Sequence, residues 1–413
     1  MKEKIQSVLV PQYYKVFSCI GSACEDTCCA GWRVDIDKAT YKKYKNAKNQ
    51  VIKPAIQANV KRNKNADNDR QYALMRMDES GACTFLDEQK LCSIQRILGE
   101  EFLSHTCSVY PRKVNAVNDI IEKSAVMSCP EIARLVLLNP NPMEFDEIEE
   151  PAKLRNRIQI NIDTKQPNAQ NEPTKFFWEL RIFTIGLLQN RKYSFSERLI
   201  FLGLFFQKIQ NQIDNKKIDA IPTIIAEYTK ILNGSDMKDI INNLPKKLQI
   251  QFDFCKALVE ARVKTSENLN KRYLECVNEM MEGFNFSDLS SLREMTEKYE
   301  YAYVKHYAPF FEKHEYMLEN YLVNYVFINL FPIGDKSIFD EYVMMIVHYS
   351  LIKLHLIGLA GYHKGLNEEL VVKLIQSFAK TVEHNRTYLE GIYKLLEENK
   401  YNSMGYMSVL IMN

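Results

Sequence analysis

From Lys175 to the C-terminus, apolar residues return every three or four positions, the spacing that lines one face of an α-helix. Phe176, Phe177, Leu180, Phe183, Ile185, Leu187 and Leu188 crowd one broad side of a first helix. The same period predicts helices over 196–212, 217–232, 236–244, 247–263, 265–283, 287–301, 304–330, 338–361 and 367–398, with room for one more in the tail. No period of fixed length recurs, which argues against a solenoid.

Before Lys175 the pattern is different. Arg33-Val34-Asp35-Ile36-Asp37 alternates polar and apolar residues, as a half-buried strand does. Tyr72–Asp78, Glu79-Ser80-Gly81 and Ala82–Leu86 read as strand, turn and strand. Residues 46–71, rich in Asn, Lys and Asp, predict an exposed loop or a polar helix. Asn139-Pro140-Asn141-Pro142, the acidic stretch Glu147–Glu150 and Pro151 mark a boundary, and Asp163–Thr174 is again polar. Between them, Ile158-Gln159-Ile160-Asn161-Ile162 has the alternation of an edge strand. The expectation is a mainly α protein: an irregular Cys-rich N-terminal domain with short strands (1–138), a linker (139–174) and a larger α-helical domain (175–413).

Composition excludes some partners. Lys plus Arg is 54 and Asp plus Glu is 52, a net of +2 over 413 residues, so no field is available to draw in nucleic acid or an anionic membrane. Tyr342–Ala360 is long enough to span a bilayer but carries His348, Lys353 and His355, which are expensive in lipid. A buried helix is expected there, with no transmembrane segment. The start, Met1-Lys2-Glu3-Lys4, has mixed charge, and Pro11, Gln12 and Lys15 interrupt the following apolar stretch before signal-peptide length. A cytoplasmic protein is the expectation.

Cysteine placement then changes the picture. Eight of ten fall early, at Cys19, Cys24, Cys28, Cys29, Cys83, Cys92, Cys107 and Cys129, while Cys255 and Cys276 sit in apolar helical stretches as core residues. A reducing compartment does not favour a disulfide framework, so the early group reads as a metal site. Structural zinc pairs its ligands at short spacings, and only His105 could add a nitrogen here. His105 itself reads as a helix-end or packing residue. Adjacent Cys28 and Cys29 would point to opposite faces of an extended chain and so do not readily grip one ion. Iron–sulfur ligation tolerates uneven spacing, and Cys129-Pro130 is like the Cys-Pro that ends ferredoxin runs. An iron–sulfur cluster is the leading reading and zinc the alternative; one centre or two stays open. No G-x-G-x-x-G or P-loop follows a strand, and Gly31 stands where a C-x3-C-x2-C motif would need its third cysteine.

These residues resemble a known family. Cys24-Glu-Asp-Thr-Cys28-Cys29-Ala-Gly31-Trp32, followed by Val34-Asp35-Ile36-Asp37, is similar to the opening motif of the bacterial flagellin lysine-N-methylases. Cys83-Thr-Phe85-Leu86, Leu91-Cys92-Ser-Ile94-Gln95, Leu103-Ser104-His105-Thr106-Cys107, Tyr110-Pro111-Arg112 and Met127-Ser128-Cys129-Pro130-Glu131 continue it in order. The helical half adds Leu318-Glu319-Asn320-Tyr321-Leu322-Val323-Asn324, Phe331-Pro332 and Glu383-His384. The Cys block alone is shared with a broader group of metal-chelating domains; the C-terminal motifs narrow the resemblance.

The resemblance implies methyl transfer from S-adenosylmethionine to lysine ε-amines of flagellin, with a [4Fe–4S] cluster on the early cysteines. Lysine, with a pKa near 10.4, must first lose a proton, so a base or a desolvating pocket is required. Glu319, Tyr321 and His384 are the candidates by motif, and Arg112 is a candidate for the donor's carboxylate. Two other functions compete: a zinc-stabilised interaction protein without catalysis, and another iron–sulfur enzyme.

Overall fold

The computed structural model describes residues 5–151, 158–234, 247–264, 270–286 and 291–412. Its strands are β1 (Ile5–Pro11), β2 (Asp35–Ile36), β3 (Val60–Arg62), β4 (Ala73–Met75), β5 (Arg112–Val117), β6 (Ile120–Ala125), β7 (Phe145–Pro151) and β8 (Asn161–Ile162). They form two sheets, β7-β1-β6-β5-β8 and β2-β4-β3. β5 and β6 are an antiparallel hairpin turned by Asn118-Asp119; Asn118 takes φ +55°, a left-handed conformation that Asn tolerates. β1 runs parallel to β6 and antiparallel to β7, and β8 is an edge strand on β5.

The rest is helical, so the protein is mainly α, as the spacing predicts. The long helix Ile338–His363 is the axis, packed by helices Phe195–Asp214, Lys271–Gly283, Leu292–Ala302, Tyr316–Ile328, Glu368–Phe378 and Met404–Met412. It is long and apolar enough to cross a membrane, yet its apolar window is wholly buried among those neighbours. Its polar side chains are satisfied inside. His348 Nδ1 and His355 Nδ1 donate to the carbonyls of Met344 and Leu351 at 2.7 Å each, and Lys353 Nζ donates to the Ile411 carbonyl at 3.1 Å. Burial depresses His355 to about 4, so its ring stays neutral.

Two stretches expected as single helices are broken. The 304–330 segment has a π-turn over Tyr303–Tyr307, then helix Ala308–His314 carrying Pro309 in its first turn, then Tyr316–Ile328. Pro309 has no N–H to give the preceding turn, which limits regular α-helix there. The 367–398 segment divides into Glu368–Phe378, a π-turn over Ala379–Glu383, and Arg386–Glu398, whose first turn is capped by the Asn385 side chain. The helix expected over 236–244 lies outside the described residues.

Packing divides the chain differently from the expected boundaries. Val34, Ile36, Tyr44, Ile52, Ile56, Ala73, Met75, Phe85 and Ile94 form the core of a small lobe, with Cys29, Cys83, Cys92 and Cys107 in or against it. Tyr13, Ala125, Met127 and helix Pro130–Leu137 instead belong to the large helical core. The reason is the apolar face Ile132, Ala133, Val136 and Leu137, which has no partner in the small lobe and buries against the helices. The 139–174 segment, read as a linker, supplies β7 and β8 to the larger sheet.

Close helix packing yields one stability prediction. A Cβ on Gly283 would stand 2.0 Å from the Gly358 carbonyl oxygen on the long helix. Both atoms belong to backbones in packed helices, so no rotamer change relieves the clash. Gly283→Ala is expected to destabilise the fold by about 1–3 kcal/mol. An unchanged thermal midpoint would contradict that packing.

Candidate metal and catalytic site

The early cysteines are all free thiols. In the small lobe, the Cys28 and Cys29 sulfurs lie 3.9 Å apart, and the Cys83 N–H donates to the Cys29 carbonyl at 2.7 Å. Leu86 and Cys92 form an isolated β-bridge, which places Cys92 at the start of helix Ser93–Leu98. Backbone N–H groups of Gln95 and Ile94 point at the Cys92 sulfur, and that of Phe85 at Cys83. Cys107 lies in helix His105–Val109, whose first turn the Ser104 hydroxyl caps by accepting from the Cys107 N–H. His105 contributes its backbone N–H to Asp37 at 3.2 Å.

Charge coupling sorts the thiols into two groups. Burial pushes Cys107 up to about 12, and Cys92, Cys83 and Cys28 add to the rise. Burial pushes Cys129 up to about 11, and here Cys24 and Cys19 add to it. Cys129 opens helix Pro130–Leu137 and receives the N–H groups of Ile132 and Glu131 on its sulfur. One group is thus Cys28, Cys83, Cys92 and Cys107, with Cys29 beside them; the other is Cys19, Cys24 and Cys129. Without a metal the raised thiols stay protonated at neutral pH; a metal would stabilise the thiolates, and N–H groups aimed at sulfur help in the same sense. The donor chemistry therefore suits a thiophilic ion or cluster. The cage is not closed, however: among the described residues, no three His, Cys, Asp or Glu side chains meet closely enough to hold an ion as they stand.

Asp26, between Cys24 and Cys28 in sequence, pins that loop to the helical body. Its carboxylate accepts from Lys380 Nζ at 2.9 and 3.0 Å and from Gln376 Nε2 at 2.8 Å, while Lys380 also donates to the Thr27 carbonyl. Lys380 lies on the π-turn Ala379–Glu383, and π-turns inside helices occur frequently at functional sites. At the end of the same turn, Tyr321 donates to Glu383 Oε1 at 2.6 Å. His384 Nε2 and the Ser128 hydroxyl lie 2.9 Å apart, and Ser128 is 3.1 Å from the Tyr110 hydroxyl. Tyr110 meets Trp32 edge-on at 5.0 Å, and Trp32 donates to the Cys28 carbonyl at 2.7 Å. An unbroken chain of polar and aromatic contacts therefore runs from Cys28 to the π-turn.

Glu383 and Lys113 are each half-buried, and each feels the other's charge. Burial raises Glu383 to about 7, with Tyr321 and Lys113 opposing the rise. Burial, then the Arg386 charge, lowers Lys113 to about 8, with Glu383 opposing. An acid and a base poised this close to neutrality characterise sites of proton transfer.

The motif candidates fall in different places. Tyr321 and His384 adjoin Glu383. Glu319, two residues before Tyr321, is 1% exposed and is held by Arg191 at 2.8 Å and by Arg198 at 2.7 Å, a tie between helices. Arg112 is exposed and stacks over Phe17 at 5.1 Å, away from Lys113, its neighbour along β5. Glu383, Lys113 and Lys380 were not singled out as site residues by the sequence reading. The only signal for them was the Glu383-His384 pair in the C-terminal motif; Lys113 arrives through strand pairing alone.

Residues 181–410, the greater part of the helical body, match the FliB lysine N-methylase C-terminal domain. The flagellar biosynthetic protein FliU of Salmonella muenchen is 37% identical over 142 residues, which is 34% of this chain and 83% of that protein. The lysine-N-methylases of Salmonella typhimurium (strain LT2) and Salmonella choleraesuis are each 36% identical over 142 residues, 34% of this chain. The aligned stretch spans only 35% of the length of each of those two proteins. No solved structure matches the chain.

Proposed function

The chain belongs to the FliB lysine N-methylase family, and we propose that it methylates lysine ε-amines of flagellin with S-adenosylmethionine as the donor. The observation that supports this most is the Tyr321–Glu383 pair, which belongs to the matched helical region and adjoins the thiol-bearing loop through Lys380 and Asp26. The relatives' names carry the lysine and flagellar parts of the reading. A cytoplasmic location goes with it, since flagellin is made there before export.

We assign the early cysteines to an iron–sulfur centre. When bound, such a cluster supplies a redox-active, Lewis-acidic iron. The protein's own contribution is to hold the loop against the helices through Asp26, Lys380 and Gln376, and to set a carboxyl group near neutrality beside a lysine. The small lobe's separate core supports a second reading, in which the metal is structural zinc and only holds that lobe together.

The test is anaerobic purification with iron, sulfide and zinc analysis, followed by incubation with labelled S-adenosylmethionine and purified flagellin. Iron with sulfide, and label on lysine, support the proposal. Stoichiometric zinc without iron, with flagellin unlabelled, would replace it with the structural reading.

A further inference from the structure

We propose that Glu383 is the catalytic base, receiving the ε-ammonium of the substrate lysine while Tyr321 orients its carboxylate and the positive charge of Lys113 is felt there. This rests on the lysine-methylation reading and deepens it by assigning the proton's destination.

The first observation is that Glu383 is under-used. The two fully buried carboxylates among the described residues are gripped by arginines: Glu122 by Arg181 through two contacts, Glu319 by Arg191 and Arg198. Glu383 has one hydrogen bond among the described residues, from the Tyr321 hydroxyl on Oε1. Its other oxygen has lone pairs to spare on a side chain that is only half-buried. A carboxylate poorly compensated by its own protein is a place for a cation from elsewhere, and a lysine side chain is long and thin enough to bring one.

Position is the second observation. Glu383 ends a π-turn, where the extra residue shifts side chains off the ordinary helical rows. Helix Tyr316–Ile328 supplies Tyr321 and the partly exposed Tyr325, whose ring senses the Glu383 charge. Strand β5 supplies Lys113, held by the Asn329 side chain at 3.3 Å. The remaining charged or titratable groups around the site are Arg386, acting on Lys113; Glu341, acting on Tyr325; and Lys380 and His384 from the turn itself.

These parts divide the task. The Lys113 cation lowers the pKa of an incoming ammonium by like-charge repulsion, as paired lysines do in other enzymes. Glu383, as carboxylate, takes one proton and becomes the acid. The freed amine's lone pair forms the N–C bond to the donor's methyl carbon as the C–S bond breaks. That electron pair returns to sulfur, the sulfonium leaves as a neutral thioether, and the product is an N-methylammonium. The proton on Glu383 then passes to solvent from its half-exposed side chain.

The test uses the full-length protein, loaded with its metal, as wild type, Glu383→Gln and Tyr321→Phe. Wild type is expected to show a kcat that rises with pH around 7. In E383Q, kcat falls by about 10²–10⁴-fold, that limb disappears, and activity recovers only where the substrate lysine deprotonates unaided. In Y321F the limb moves to higher pH, because the hydrogen bond that favours the carboxylate is gone. Metal content and S-adenosylmethionine binding are expected to be unchanged in both, which a merely structural role would not predict. A second readout needs no turnover: n-butylammonium, a lysine side-chain mimic, binds wild type and not E383Q. An E383Q protein with wild-type kcat and pH limb would overturn the assignment. Wild type that methylates no lysine yet binds n-butylammonium through Glu383 would instead defeat the methylase reading and leave an amine site.

Discussion

Arg181→Met is expected to lower stability by roughly 3–5 kcal/mol, because it strands the carboxylate of Glu122 in the interior. Arg181 is 3% exposed and Glu122 1% exposed, and Arg181 Nη1 donates to Glu122 Oε2 at 2.8 Å. Glu122 lies on β6 and Arg181 on helix Phe177–Leu188, so the pair joins the larger sheet to the helical body. The guanidinium also lies over the rings of Phe177, Trp178 and Phe327 at 4.7, 4.6 and 5.1 Å, which holds its plane in place. Removing the arginine therefore costs stacking as well as charge. The thermal midpoint should drop by roughly 4–6 °C. Replacing both partners, Arg181→Met with Glu122→Leu, should restore most of the loss, since no buried charge then remains. A single variant as stable as wild type would mean that the pair is hydrated, contrary to its burial.

Cys83→Ser is expected to release metal from the small lobe and unfold it, leaving the helical body intact. The lobe's core is a modest set of side chains, with Cys83 among them and Cys29, Cys92 and Cys107 packed against it. Small metal-bound units draw much of their folding free energy from the ion, on the order of 10 kcal/mol for zinc-finger peptides. The two cores are separate, so loss of one need not melt the other. Limited proteolysis should cut within 34–107 in this variant and spare 316–412. Cys129→Ser should act differently: Cys129 packs on the helical core and belongs with Cys19 and Cys24. It should lose metal while the lobe stays resistant. Identical metal loss and identical cleavage in both variants would mean a single shared centre.

The sequence was most legible where burial alone decides the outcome. The wide apolar stripes of Phe176–Leu188 and Tyr342–Ala360 marked core helices, and His348, Lys353 and His355 find partners within the helical body. The alternation at 158–162 does end in an edge strand. The π-turns at Tyr303–Tyr307 and Ala379–Glu383 were not legible, because one extra residue per turn barely disturbs an apolar stripe read over a whole helix. The β5–β6 hairpin also passed unnoticed; its apolar runs are short, and its turn, Asn118-Asp119, is not one of the strong glycine-bearing signals.

The site shows the same division. The eight early thiols were visible from composition and spacing, but that Cys83 and Cys107 pack with the small lobe while Cys129 packs on the helical body depends on the folded chain. That is a tertiary fact. Tyr321 and His384 could be picked by motif, whereas Glu319, equally prominent in the same motif, has its carboxylate taken up by Arg191 and Arg198. Two residues apart on one helix, Glu319 and Tyr321 face different neighbours, and only packing separates them. The charge of Lys113 acts on Glu383 across 270 positions of sequence, brought there by sheet and helix packing that no local pattern encodes.

The most direct measurement is mass spectrometry of purified flagellin after incubation with the anaerobically prepared, iron-loaded protein and isotopically labelled S-adenosylmethionine. The expected result is label on lysine ε-nitrogens, abolished when the early cysteines are replaced. Unmodified flagellin lysines, from protein with intact iron and sulfide and demonstrated binding of the donor, would contradict the account.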